Sequence, residues 1–327
     1  MKSGDDTHLY PDIDHQKCVR CRLCDAVCPI IAPDRWKNPV REMTAARVKD
    51  KADFMKSSSG GAFKCVVRAW MKTVPAGEDM YVCGCVFDDA HKAKHIIKRV
   101  HVPDDADCFS KSKYIQSDLE NVYRDITGIV QNGGHVLFSG TPCQCSALKS
   151  SLDRKASGHD ENVFYVDLIC RGAPSQRQFD DHISELEQAA GSKVLKFSFR
   201  EKEQLDNGSY YTRSAKIVYA NGRVDRPSRL ENSFLDGFYL KRLDKFSCTV
   251  CPFSDMRRVG DITIGDAWGI EKQIETIHSV RGISLILYVT ARGLNLRKDI
   301  EDNMEVFQCD MKKLIQNNPA LLPKGVL

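Results

Sequence analysis

Cys18, Cys21, Cys24 and Cys28 stand in the run Cys-x2-Cys-x2-Cys-x3-Cys, closed by Pro29. At this spacing short loops let consecutive thiolates converge on a cubane iron–sulfur cluster. In two-cluster arrangements the fourth cysteine of such a run serves the other cluster, so Cys18, Cys21 and Cys24 need one more ligand and Cys28 needs partners elsewhere. Fourteen cysteines in the chain leave ten beyond the run (14 − 4) to supply them. Paired Cys-x2-Cys is also zinc spacing, and zinc is the alternative; a fourth cysteine followed by proline belongs to the iron–sulfur pattern.

A second pair, Cys248 and Cys251, is weak evidence alone, since it could be zinc-binding or redox-active. In a chain that already needs cluster ligands it reads as supplying them. Cys143 follows Ser139-Gly140-Thr141-Pro142, where a strand runs into a helix that begins at the proline. A thiolate there is favoured by the helix dipole, which suits a metal ligand. Ligands of open α/β sheets sit at such turns, so a phosphate or a flavin edge fits here. Ser57-Ser58-Ser59-Gly60-Gly61 precedes a helical pattern over 62–70 and presents free backbone N–H groups to an anion. A plain N-cap with a flexible loop is the other reading of that stretch.

The elements that must position these residues follow from periodicity. Residues 80–87 and 95–100 read as strands joined by a turn at Asp88-Asp89. A polar stretch over 110–118 precedes a helix that ends near 131, closed by Gly133-Gly134. Strands over 135–138 and 163–170 each lead into a helix, the second over roughly 175–190, which predicts a partly parallel sheet. Alternation from 194 to 228, with Asn221-Gly222 as a hairpin signal, predicts an antiparallel portion. Residues 30–55 read as a linker and 302–327 as a polar helical tail. The fold class expected is mixed α/β: a partly parallel sheet with helices on both sides, an antiparallel portion, and a small N-terminal cluster segment.

Lys and Arg exceed Asp and Glu by only 48 − 44 = 4 and are scattered. That argues against a nucleic-acid partner. The longest apolar run, 283–289, is far short of the roughly 20 residues of a membrane helix. A polar, acidic N-terminus without an apolar signal region leads us to expect reduced cysteines and a cytoplasmic location.

Taken in order, 57–61, Ser112 to Leu119, Leu137 to Gln144, Asp167 to Cys170, the pair at 248 and 251, and Asp261 to Gly269 resemble the beta subunits of coenzyme F420-reducing hydrogenase and related formate dehydrogenases. The resemblance runs from about Tyr10 to Thr290. It implies one or two 4Fe–4S clusters on Cys18, Cys21, Cys24, Cys28, Cys143, Cys170, Cys248 and Cys251. It further implies FAD held by Ser59, Gly60, Gly61, Lys113, Tyr114, Ser139, Gly140, Thr141 and Pro142. Where relatives carry His after the cysteine of the Asp-Leu-Ile-Cys motif, this chain has Arg171.

The resemblance thus implies an oxidoreductase passing electrons between 4Fe–4S clusters and, through FAD, coenzyme F420 or a similar organic acceptor. Lys113, Arg171 and Arg200 are candidates for steadying the reduced flavin or an anionic substrate. The alternative is an electron-transfer subunit with no substrate of its own that docks on a catalytic partner. Expected partners are a deazaflavin or other redox substrate and a redox protein, either a ferredoxin or a catalytic subunit; self-association is also open. The expected division is a ferredoxin-type segment and linker over 1–50, a flavin-binding domain over 51–175, and a C-terminal domain with the second cysteine pair over 176–327.

Overall fold

A computed structural model describes residues 2–4, 6–156, 158–204, 210–274 and 282–324. Its main sheet is built from β1 (Glu42–Val48), β2 (Met80–Phe87), β3 (Ala93–Arg99), β4 (His135–Gly140) and β5 (Val163–Leu168). β6 (Val194–Gln204) and β7 (Tyr210–Tyr219) form a separate sheet with the short strand Val224–Asp225. β8 (Ile262–Asp266), β9 (Ser284–Tyr288) and β10 (Met304–Phe307) complete the main one. Its order is β10-β1-β9-β8-β5-β4-β2-β3. The pairs β8–β5, β5–β4 and β4–β2 are parallel, and the flanking pairs are antiparallel.

Alternation along the parallel strands explains the layers, because successive side chains leave opposite faces of a sheet. On one face Val82, Leu137, Phe164 and Val166 pack against Val66 and Trp70 of α1 (Ala62–Met71). On the other, Cys83, Val136, Phe138 and Tyr165 meet Ile126 of α2 (Val122–Gln131) and Leu148 and Leu152 of α3 (Pro142–Lys155). Both faces are covered, as parallel strands require. Each fully buried large apolar side chain contributes about 1.5–3 kcal/mol. The small antiparallel sheet packs Phe197 and Phe199 against Phe179 of α4 (Gln176–Ala190) and Phe234 of α5 (Ser233–Tyr239).

Two expectations change. Residues 30–55 are not a linker: β1 lies inside the main sheet, paired on both edges, and is followed by a helix over Lys51–Lys56. The stretch 302–327 is not simply a helical tail, since β10 forms the sheet edge beside β1 before the helix Met311–Gln316. In both cases the strand is short or charged and is made by pairing with distant residues, so local periodicity does not mark it. Among the described residues no helix is long and apolar enough to cross a membrane.

Candidate functional site

A cavity of about 300 Å³ opens where the parallel strands end, lined by Gly84, Gly140, Leu168 and Asp266. Ligands of α/β sheets bind outside these carboxyl ends. Ser59, Gly61, Lys113, Tyr114, Ser139, Gly140 and Thr141 line it, as do Arg171 and Arg200. Gly60 and Pro142 are absent from the lining.

The serine–glycine loop is tied to the sheet. Gly60 N donates to Ser284 Oγ at 2.9 Å, and Val48 N donates to Gly60 O at 2.7 Å. A Cβ on Gly60 would stand 2.4 Å from Ala46 O and 2.5 Å from Ser284 N, so only glycine lets the loop approach this closely. Gly61 then enters α1 with φ 82, a left-handed conformation that glycine adopts without strain, and no side chain caps the helix. Lys202, unmarked by any sequence signal, reaches into the same loop. Its Nζ donates to Phe54 O at 2.6 Å, Ser57 O at 2.9 Å and Ser57 Oγ at 2.7 Å.

Across the cavity Ser112 N donates to Ser58 Oγ at 2.8 Å, joining the 57–61 loop to the segment bearing Lys113. Lys113 Nζ donates to Ser110 O at 2.7 Å and Phe109 O at 3.2 Å. Burial pulls its ammonium down to about 8. His95, a residue sequence reasoning missed, bonds through Nε2 to Ser139 O at 3.0 Å and through Nδ1 to Ser117 Oγ at 2.9 Å. Burial pulls it down to about 4, so it stays neutral at physiological pH.

Aromatic rings form the far end. Tyr114 stacks on Phe238 with centroids 4.4 Å apart, and Tyr239 lies beside both. Arg200 Nη1 bonds Asp266 Oδ2 at 2.6 Å. Arg171 lies over the Trp268 ring, 4.6 Å from its centroid.

Cys170 lines the cavity, and Cys143, Cys248 and Cys251 lie near enough to act on it. Burial, then the charge of Cys143, and further that of Cys248 and Cys251, hold the Cys170 thiol well above its usual range. Burial, then Cys143 and Cys251, pushes Cys248 up to about 11. These four sulfurs therefore share one neighbourhood and need a cation to become thiolates. Among the described residues no three His, Cys, Asp or Glu side chains are gathered closely enough for a single metal ion. A zinc tetrahedron would need sulfurs about 3.8 Å apart, from its 2.3 Å bonds; a cubane carries its thiolates on separate irons, farther apart. Four thiols are a donor set that a cubane takes, one to each iron.

Cys18, Cys21 and Cys24 are exposed and Cys28 is half-buried. Both ends of their segment are anchored beside the second group. His8 Nε2 bonds Ala173 O at 3.1 Å, close to Cys170, and Lys37 Nζ donates to Pro252 O at 2.6 Å, next to Cys251. The short helix Leu23–Val27 packs on α3, whose first turn carries Cys143. Arg258, fully buried and also missed, fixes the loop after Cys251: its Nη1 donates to Phe253 O and Asp255 O, and its Nη2 to Leu168 O at 2.9 Å. Cys65, Cys83 and Cys145 belong to the apolar cores.

The fold and the site define an α/β protein with helices on both faces of its main sheet, an open cavity at the strand ends and cysteines grouped beside it. Residues 133–312 match the family described by the C-terminal part of the beta subunit in coenzyme F420 hydrogenase/dehydrogenase, and the chain belongs to that family. A structure of the F420-reducing NiFe hydrogenase complex from Methanosarcina barkeri includes a chain of the same fold. The TM-score is 0.53 at 19% identity, covering 87% of this chain and 92% of that one. No curated protein matches the chain.

Proposed function

We propose that this chain is a flavin- and iron–sulfur-dependent oxidoreductase that passes electrons between 4Fe–4S clusters and, via FAD, coenzyme F420 or a similar organic acceptor. The observation that carries this reading is the succession of residues. The strand-end cavity is bounded by Cys170; Cys170 adjoins Cys143, Cys248 and Cys251; and that group adjoins the run Cys18–Cys28, whose first three cysteines are exposed.

Bound here, a flavin would interconvert two-electron and one-electron transfers, the exchange a cubane cannot make alone. The residues would divide the work. Ser59, Gly60 and Gly61 with the uncapped α1 present N–H groups and a positive dipole end to a phosphate. Lys113 sits opposite, and Ser139, Gly140, Thr141 and Pro142 form the strand-to-helix turn. Residues 1–50 would carry the exposed cluster loop, 51–175 the flavin elements and 176–327 the second cysteine pair. Cys18, Cys21, Cys24 and Cys28, with the four buried cysteines, would make two four-cysteine sets.

The second reading, a subunit that only relays electrons to a catalytic partner, is favoured by the exposed apolar residues Val19, Leu23 and Ile31 around the N-terminal run. An anaerobic absorbance spectrum before and after dithionite, with iron, sulfide and flavin quantified on the same sample, tests the cofactor pair. A deazaflavin-driven assay of the isolated chain then separates the readings: turnover without a partner sinks the second. A chain that takes up neither flavin nor iron on anaerobic reconstitution overturns both.

A further inference from the structure

Six Lys and Arg side chains line the cavity among the described residues, and five have partners. Lys56 bonds Asp107, Lys64 bonds three carboxylates, and Lys111 bonds Glu201. Lys113 is held by two carbonyls, and Arg200 pairs with Asp266. Among the described residues the Arg171 side chain has no hydrogen bond or ion pair, and its Nε is buried without an acceptor. A half-buried guanidinium without a counter-ion has lost hydration it has not regained. Among the described residues its guanidinium carbon lies 4.6 Å from the centroid of the Trp268 ring, a cation–π contact.

Its surroundings are those of a recognition site. Tyr239, Phe238 and Tyr114 supply rings at the same end of the cavity. The acid that most bears on Arg171 is Asp244, which forms no ion pair with it; both Asp244 oxygens are buried without a hydrogen-bond partner. The serine–glycine loop and the segment bearing Lys113 are joined to each other by the bond from Ser112 N to Ser58 Oγ, and neither bonds Arg171 among the described residues.

We propose that Arg171, lying on Trp268, is a specificity-determining residue that receives the oxyanion of a flat, aromatic organic acceptor. This rests on the flavoprotein reading above. The group recognised is a carboxylate, sulfonate or phosphate, which a guanidinium meets with two parallel hydrogen bonds. A phosphate of the bound flavin carries the same chemistry, and the test separates the two sources.

The test compares naphthalene-2-sulfonate with naphthalene-2-sulfonamide, which share a ring and a size but differ in charge. Binding to the full-length chain is followed by probe fluorescence, with and without reconstituted flavin, for wild type, R171M and R171K. R171M is expected to weaken the sulfonate roughly ten- to hundredfold, the range for a charge-assisted hydrogen bond. The sulfonamide should move less than about twofold, flavin content should stay at the wild-type level, and R171K should fall between. Equal weakening of both probes would reduce Arg171 to a packing residue and overturn the proposal. Loss of flavin from R171M alone would assign the oxyanion to the flavin and also overturn it. A wild-type chain that takes up no flavin defeats the flavoprotein reading, while its sulfonate preference still reports on Arg171.

Discussion

Lys202 Nζ donates to the carbonyl of Ser57 at 2.9 Å and to its hydroxyl at 2.7 Å, so a strand of the small sheet holds the serine–glycine loop of the main one. The same nitrogen sits 3.7 Å from the centroid of the Phe54 ring, and Lys202 is buried.

K202M should therefore lower stability by about 1–3 kcal/mol at neutral pH, the cost of stranding buried acceptors. It should also change the pH profile. Burial, then the Arg200 charge, pulls Lys202 to about 6 from its ordinary 10.5. Between those values the unfolded chain holds a proton that the folded chain lacks, so this residue makes stability rise with pH, by up to about 1.4 kcal/mol per unit. That contribution fades as pH falls toward 6. Urea denaturation at several pH values from 6 to 9 checks it; identical slopes for wild type and K202M would refute it.

Arg200 and Asp266 close the cavity floor with a partly buried pair at 2.6 Å. R200M leaves Asp266 uncompensated and should cost about 2–3 kcal/mol, below the 3–5 of a fully buried pair. D266N, which keeps an acceptor for the guanidinium, should cost less. Thermal denaturation of both variants ranks them, and a larger loss for D266N would contradict the assignment.

If eight cysteines carry two cubanes, C143S or C251S should take reconstituted iron from about eight atoms per chain to about four. C145S should leave it unchanged, since Cys145 is buried beside Leu148 and Val136. Iron and acid-labile sulfide assays on anaerobically reconstituted protein decide this, and iron lost from C145S would overturn the ligand assignment.

Arg258 joins three carbonyls of two separate segments. R258M should destabilise the chain by about 3–5 kcal/mol by removing a buried, fully bonded charge and its Asp167 neighbour's partner. Its loss should also expose the 248–258 loop to limited proteolysis faster than thermal unfolding alone explains. Cleavage no faster than in an equally destabilised core variant would count against that anchoring role.

Much of the cavity was legible because it is built locally. The strand-to-helix turn at 139–142 and the serine–glycine loop each announce themselves within a few residues. Trp268 and Asp266 lie in a motif visible in the sequence, although nothing in it says that they face Arg171 and Arg200. The contacts that stayed hidden join residues far apart in the chain. Lys202 looks like a surface lysine in an alternating strand until it meets the Ser57 carbonyl, 145 positions away. Glu42–Val48 carries charge near both ends, and its pairing with Ser284–Tyr288 leaves no mark in either segment.

That pairing also sets an order of events during synthesis. Glu42–Val48 leaves the ribosome with both edges bare, and its neighbours in the sheet, Ser284–Tyr288 and Met304–Phe307, follow only about 240 and about 260 residues later, roughly ten seconds to a minute at ordinary rates of elongation. Through that interval the chain carries an unclosed strand that any sticky neighbour can take up. The sheet that carries the cavity is completed only once Met304–Phe307 has been made.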